Sequence, residues 1–133
     1  MALKKLKPIG EVQLIGRPVF AAVSPDKKTL AVNFSGDQED FISLVDTNSK
    51  KVMTSFKAGK RIMHLRFSSD SQLLYATSYF ENKLHIFEMK TNKVKFSLPV
   101  STPSGIFIEE DGRISRWGIY ECKRKSLSSW RRP

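Results

Sequence analysis

Apolar and polar positions alternate along most of this chain in short runs, each bounded by a cluster of turn-forming residues. Glu11-Val12-Gln13-Leu14-Ile15 alternates and is closed by Gly16-Arg17-Pro18, which predicts a strand. Val19 to Val23 is almost continuously apolar, the pattern of a strand buried on both faces. Ser24-Pro25-Asp26-Lys27-Lys28 carries turn chemistry: proline sets φ, and aspartate can bond back to the backbone. Further strands are predicted over Thr29 to Phe34, Phe41 to Val45 and Lys51 to Phe56. They are separated by the polar connector Ser35 to Asp40 and the tight turn Asp46-Thr47-Asn48-Ser49-Lys50. No segment keeps a helical period over a useful length, so the expectation is all-β.

The same pattern recurs. Ser24-Pro25-Asp26 followed by Leu30-Ala31-Val32-Asn33 is matched 44 residues on by Ser68-Ser69-Asp70 and Leu74-Tyr75-Ala76-Thr77. Past a two-residue deletion the offset becomes 42, pairing Ile42-Ser43-Leu44-Val45-Asp46 with Leu84-His85-Ile86-Phe87-Glu88. A third copy opens at Pro103-Ser104-Gly105-Ile106-Phe107-Ile108, turns at Glu110 to Arg113 and fades. A period in the low forties built of four short strands is that of a β-propeller blade. The expected fold is a partial β-propeller, about two four-stranded antiparallel blades plus the start of a third. The blades fall at 19–58, 62–100 and 103–120, with a basic extension over 1–10 and a basic tail over 109–133. A blade cannot bury both faces alone, so association through exposed blade faces is expected.

The formal net charge of +10 sits at the ends. Residues 113–133 hold seven basic groups against Glu121 alone, a net +6, and Lys4, Lys5 and Lys7 add +3. Residues 11–112 therefore carry only +1. Terminal charge runs of this kind read as solvated tails, and nucleic acid is not the expected partner. Trp130 beside Arg131 and Arg132 leaves stacking on single strands or contact with an anionic membrane as the other reading of the tail. No run approaches the ~20 apolar residues of a membrane span. Met1 to Pro8 lacks the apolar stretch of a signal peptide, so the chain as it stands is expected in the cytoplasm. The single Cys122 excludes an internal disulfide, and no Cys-x-x-Cys-His is present for c-type haem attachment.

Gly16 to Asp26, then Ala31-Val32-Asn33-Phe34, resembles the carboxy-terminal third of the haem d1 biosynthesis family NirF. The likeness continues through Gly59-Lys60-Arg61-Ile62-Met63-His64-Leu65-Arg66-Phe67 and ends at Pro103 to Phe107, about residues 11–108 in all. That family is similar to the d1-haem domain of cytochrome cd1 nitrite reductase, an eight-bladed propeller. The resemblance implies a protein, or a fragment of one, that binds a d1-type tetrapyrrole during assembly of the nitrite reductase cofactor. It implies haem d1 or a d1-type precursor as ligand, and other haem d1 assembly proteins or nitrite reductase as partners. For full-length members a periplasmic location is the alternative.

Such a macrocycle carries carboxylates and a flat apolar face. Its site calls for Arg or Lys for the carboxylates, apolar or aromatic walls and a histidine for the iron. Arg17, Lys60 and Arg61 lie on loops leading into the inner strands of successive blades, the face where propellers bind ligands, and are the expected carboxylate clamps. Ordinary charged-loop solubility is the competing account. Alternation places His64 with Ile62 and Arg66, opposite Met63, Leu65 and Phe67. His64 is expected to face the axial cavity near the tetrapyrrole, with a packed or solvated channel histidine as the alternative. Asn33 and Thr77 are expected to be structural, and His85 to be a surface residue. No glycine-rich phosphate loop, His/Cys metal spacing or nucleophile elbow is present, so no self-contained catalytic site is expected. The alternative function is a propeller-repeat module that binds protein through its loop faces without a tetrapyrrole.

Overall fold

The computed structural model describes residues 7–101, 103–108 and 114–121. The first blade consists of β1 (Arg17–Val23), β2 (Thr29–Ser35), β3 (Phe41–Asp46) and β4 (Lys51–Lys57), hydrogen-bonded in that order and antiparallel throughout. The second repeats it with β5 (Ile62–Phe67), β6 (Leu73–Ser78), β7 (Lys83–Glu88) and β8 (Lys93–Pro99). β9 (Pro103–Ile108) and β10 (Ile114–Glu121) pair as a third, two-stranded sheet. The all-β architecture read from the alternation is thus present, with only the short 3-10 turn Gly36–Gln38 as helix among the described residues. The tail segments 109–113 and 122–133 lie outside the described residues, as do residues 1–6.

The repeated turns are built from repeated hydrogen bonds. Ser24 Oγ donates to Asp26 Oδ1 at 2.5 Å and accepts from Thr29 N at 3.1 Å, while Lys28 N donates to Asp26 Oδ1 at 3.0 Å. In the second blade Ser68 Oγ donates to Asp70 Oδ1 at 2.6 Å and accepts from Leu73 N at 3.0 Å, with Gln72 N on Asp70 Oδ1 at 3.0 Å. In each turn the serine hydroxyl, ahead of the backbone N–H, holds the aspartate below its ordinary range. Lys27 and Ser71 occupy the same left-handed position, at φ 63° and 64°. Turn chemistry therefore sets where each inner hairpin reverses.

The core lies between the blades. Ala31, Ile42 and Leu44 from the first sheet, with Phe20, Ala22 and Phe56, meet Leu65, Phe67, Leu74, Ala76 and Phe87 of the second. Phe56 and Phe87 touch edge to face, their ring centroids 5.3 Å apart. The second blade's other face buries Tyr75, Leu84 and Ile86, and β9 lies against β5 and β6. Asn33 Nδ2 donates to the Ile62 carbonyl at 2.6 Å and His64 N to Thr77 Oγ1 at 3.0 Å, the structural roles expected of Asn33 and Thr77.

Four expectations are corrected. Glu11 to Ile15 joins no ladder; it runs over the first blade, where Val12 and Leu14 pack on Val32, Phe34 and Val45. Val19 to Val23 is not buried on both faces. Phe20 and Ala22 are half-buried, but Val19 is 61% and Val23 56% exposed, because no sheet of the described residues covers that side of β1. In β5 the register shifts between Ile62 and Leu65, so the bulge turns Ile62 into the core with Leu65 and Phe67, away from the His64 side. His85 is buried rather than on the surface, because its side of β7 is the side that carries Phe87 into the inter-blade core.

Leu74, fully buried between the blades, and Val94, 48% exposed on β8, separate core from surface. Leu74→Ala is expected to cost ~2–5 kcal/mol in chemical denaturation and Val94→Ala about 0.5 kcal/mol or less.

Candidate functional site

The loop Gly59-Lys60-Arg61 leads from β4 into β5 and is clasped from both blades. From the first, the Asp40 carbonyl accepts Ala58 N at 2.7 Å, Asp40 Oδ1 accepts Arg61 N at 2.9 Å and the Glu39 carbonyl accepts Ile62 N at 2.9 Å. From the second, Ser78 Oγ accepts Lys60 N at 2.8 Å, and the Lys60 and Arg61 carbonyls accept Phe80 N at 3.0 Å and Tyr79 N at 2.9 Å. Nearly every backbone polar group of this short loop is spoken for, which makes it rigid for a surface segment. Arg61 pays with a left-handed φ of 60°, a conformation that costs a non-glycine residue about 1 kcal/mol or more.

That backbone places the Arg61 guanidinium over two rings. Its Cζ lies 5.6 Å from the Tyr79 centroid and 5.5 Å from that of Phe80, and the rings meet each other edge to face at 5.3 Å. Phe80 is 59% exposed, an apolar surface beside a fixed cation. Arg61 Nε stands 3.9 Å from Glu39 Oε2, and both side chains are too exposed for this pair to add much stability. Arg61 and Glu39 line a cleft of about 310 Å³ between the blades, with Val19, Phe34, Gly36 and Met63 among its other walls.

The four residues expected at a site are brought together only in part. Arg61 lines the cleft, and Arg17 approaches it from the first blade, its guanidinium beside Gly36. Lys60 is exposed in the same loop. His64 is not among the cleft-lining residues; its ring packs at a 45° tilt against Phe20 with centroids 4.4 Å apart, and Phe20 is its counterpart one repeat earlier. Burial, and secondarily the Arg66 charge, hold the His64 imidazole below its ordinary value of 6.5. Aromatic walls were expected, but the seating of Arg61 on Tyr79 and Phe80 was not, although two adjacent aromatics in an otherwise polar loop are a usable signal. Among the described residues no group of three or more His, Cys, Asp or Glu side chains gathers for a metal ion, and no helix is long and apolar enough to cross a membrane.

The second blade holds a partly buried polar network. His85, 7% exposed, sits with Nδ1 2.7 Å from Ser97 Oγ and Nε2 2.8 Å from Glu81 Oε1. Glu81 Oε1 also accepts from Ser78 Oγ at 2.6 Å. The His85 bond first, and the Ser78 bond second, lower the Glu81 pKa. Because an ionised carboxylate only accepts, Nε2 of His85 carries the hydrogen, and in the neutral ring Nδ1 accepts the Ser97 hydroxyl.

A lowered histidine pKa means that the folded chain favours the neutral ring. Its contribution to stability is present above the unfolded value and lost as the pH falls through the folded one. In an NMR titration His64 should show a midpoint below 6.5, and Arg66→Ala should raise it only part of the way, since burial is the larger cause.

Comparison with known proteins agrees with the repeat. The family described as Cytochrome D1 heme domain matches residues 1–111. Protein NirF of Pseudomonas aeruginosa is 27% identical over 101 residues, covering 76% of this chain and 26% of that protein. Protein NirF of Stutzerimonas stutzeri is 23% identical over 96 residues, 72% of this chain and 25% of that protein. The chain thus spans about a quarter of the length of these relatives. Among solved structures, Kuenenia stuttgartiensis hydrazine synthase superposes with a TM-score of 0.66 at 22% identity, over 82% of this chain and 30% of that one, a likeness of fold. With four-stranded blades in the structure and a match over most of its length, the chain belongs to the Cytochrome D1 heme domain family.

Proposed function

We propose that this chain binds a d1-type tetrapyrrole on the loop face between its blades, as part of a propeller that serves assembly of the nitrite reductase cofactor. The observation that carries the reading is Arg61, held in a strained backbone conformation with its guanidinium over Tyr79 and Phe80 at the rim of the cleft. A planar fork on an aromatic platform suits a carboxylate on the edge of a flat apolar ring. In this arrangement Arg61 takes one carboxylate, Lys60 and Arg17 take others, and exposed Phe80 lies against the macrocycle. Burial, and secondarily the Arg66 charge, push His64 toward the neutral ring, the form in which an imidazole would meet iron. The bound group would supply the redox-active iron and the visible chromophore. In this reading the cleft forms one wall for such a ligand, in keeping with a chain that spans about a quarter of the length of its NirF relatives.

Partners follow from the same reading: the tetrapyrrole, other haem d1 assembly proteins or nitrite reductase, and further copies of this chain. Val94, Phe96 and Leu98 leave one side of β8 apolar and 42–54% exposed, while Val19 and Val23 do the same on β1. Packing of sheet on sheet is what hides such rows between the two complete blades.

Titration with a d1-type haem should give a saturable Soret shift. Arg61→Ala should weaken binding by about 10-fold or more, the scale of a lost hydrogen bond to a charged group. His64→Ala should change the spectrum of the bound form; unchanged affinity and spectrum would remove His64 from the site. No saturable shift would favour the protein-interaction module instead. Light scattering should show mass rising with concentration, and a clean monomer at high concentration would rule out association through the blade faces.

A further inference from the structure

We propose that Glu81 and His85 are positioning residues that hold the cationic loop Gly59-Lys60-Arg61 at its height above the second blade. The chain of contacts is continuous. Ser97 on the outermost strand bonds His85, His85 bonds Glu81, Glu81 bonds Ser78, and Ser78 accepts the Lys60 N–H. The Ser78 hydroxyl also lies 3.3 Å from the Lys60 carbonyl, but its single proton goes to the nearer carboxylate, which leaves a lone pair aimed at Lys60 N. The loop sits so close to this network that a Cβ on Gly59 would come within 2.5 Å of Ser78 Oγ and 2.9 Å of Glu81 Oε1.

Comparison of the blades isolates what is special. In the first blade Ser43 and Ser55 occupy the positions of His85 and Ser97, and their hydroxyls meet at the same 2.7 Å. A polar rung between the third and fourth strands is therefore common to both blades. Only in the second does the larger imidazole extend that rung to a carboxylate and, through Ser78, to the Lys60 N–H, whereas Asp40 of the first blade meets the same loop directly at Arg61 N with no link to its serine rung. The order Ser97–His85–Glu81 is also that of a nucleophile, base and acid. The first blade's serine pair marks the Ser97 bond as a rung of the sheet, and Glu81 is committed to Ser78. The network is an anchor whose far end is the loop.

The purpose assigned to the anchor rests on the ligand site proposed above, whereas its geometry does not, and the test separates the two. In the full chain, amide hydrogen exchange at Lys60 should accelerate ~10-fold in Glu81→Ala, the factor for loss of an ordinary hydrogen bond in a local opening. His85→Ser, which restores the rung of the first blade and cuts the link to Glu81, should do the same. Glu81→Gln should recover most of the protection, since its amide oxygen still accepts from Ser78 and His85. Amides of Leu74 and Ala76 in the core strand should not change. Wild-type protection at Lys60 in both Glu81→Ala and His85→Ser would overturn the proposal, as would equal acceleration of the core amides, the mark of a merely structural role. With a haem carrying free carboxylates as probe, affinity should fall several-fold in Glu81→Ala and return in Glu81→Gln. Failure of the unmodified chain to take up that haem would count against the ligand site, while the exchange data would still decide the role of Glu81 and His85.

Discussion

Phe56 and Phe87 meet edge to face between two sheets that share no strand ladder, and the rest of the molecule depends on that contact surface. Each blade is a four-stranded sheet whose local hydrogen bonds satisfy its backbone but leave two apolar faces. Ladder and turns alone would give two independent sheets. Burial of Ala31, Ile42 and Leu44 against Leu65, Leu74 and Phe87 makes one body of them, through the non-directional cost of leaving apolar area in water. The same requirement explains the exposed rows on β1 and β8, which are blade faces without a neighbour among the described residues.

Inter-blade packing also creates the site. Gly59-Lys60-Arg61 belongs by sequence to the junction of two repeats, and its hydrogen-bond partners come from both. Asp40 and Glu39 hold it from one side and Ser78, Tyr79 and Phe80 from the other. A loop held so completely can keep Arg61 in a left-handed conformation that a free loop would relax, and from it the guanidinium rests over Tyr79 and Phe80. The stability of the two-blade body and the seating of this loop thus rest on the same interface.

Membership of the Cytochrome D1 heme domain family and the likeness to NirF give these features a common chemical sense. A flat, carboxylate-rimmed ring asks for cations on loops and aromatic surface beside them, and the first two blades present both at their junction. The chain spans about a quarter of the length of its NirF relatives, and under the proposed reading it supplies one sector of such a surface.

Strand positions, turn chemistry and repeat were legible in the residues themselves, because they depend on local physics. Alternation specifies a pleated strand, and Ser-x-Asp closes its own turn with bonds that span only a few residues. Lys60 and Arg61 could be placed in a lead-in loop for the same reason, since the repeat fixes where that loop falls, whereas Arg17 opens strand β1. Burial was not legible wherever it is decided by a neighbouring blade. His85 alternates with Leu84 and Ile86 and so read as solvent-facing, yet its side of β7 is the side that carries Phe87 into the inter-blade core. Val19 and Val23 failed in the opposite sense, apolar by composition and exposed because no sheet covers them. The bulge that turned Ile62 inward, the seating of Arg61 on Tyr79 and Phe80, and the chain from Ser97 to Lys60 all join residues of different strands or blades. One-dimensional periodicity determines which residues share a strand face; only the stacking of sheets decides what that face meets.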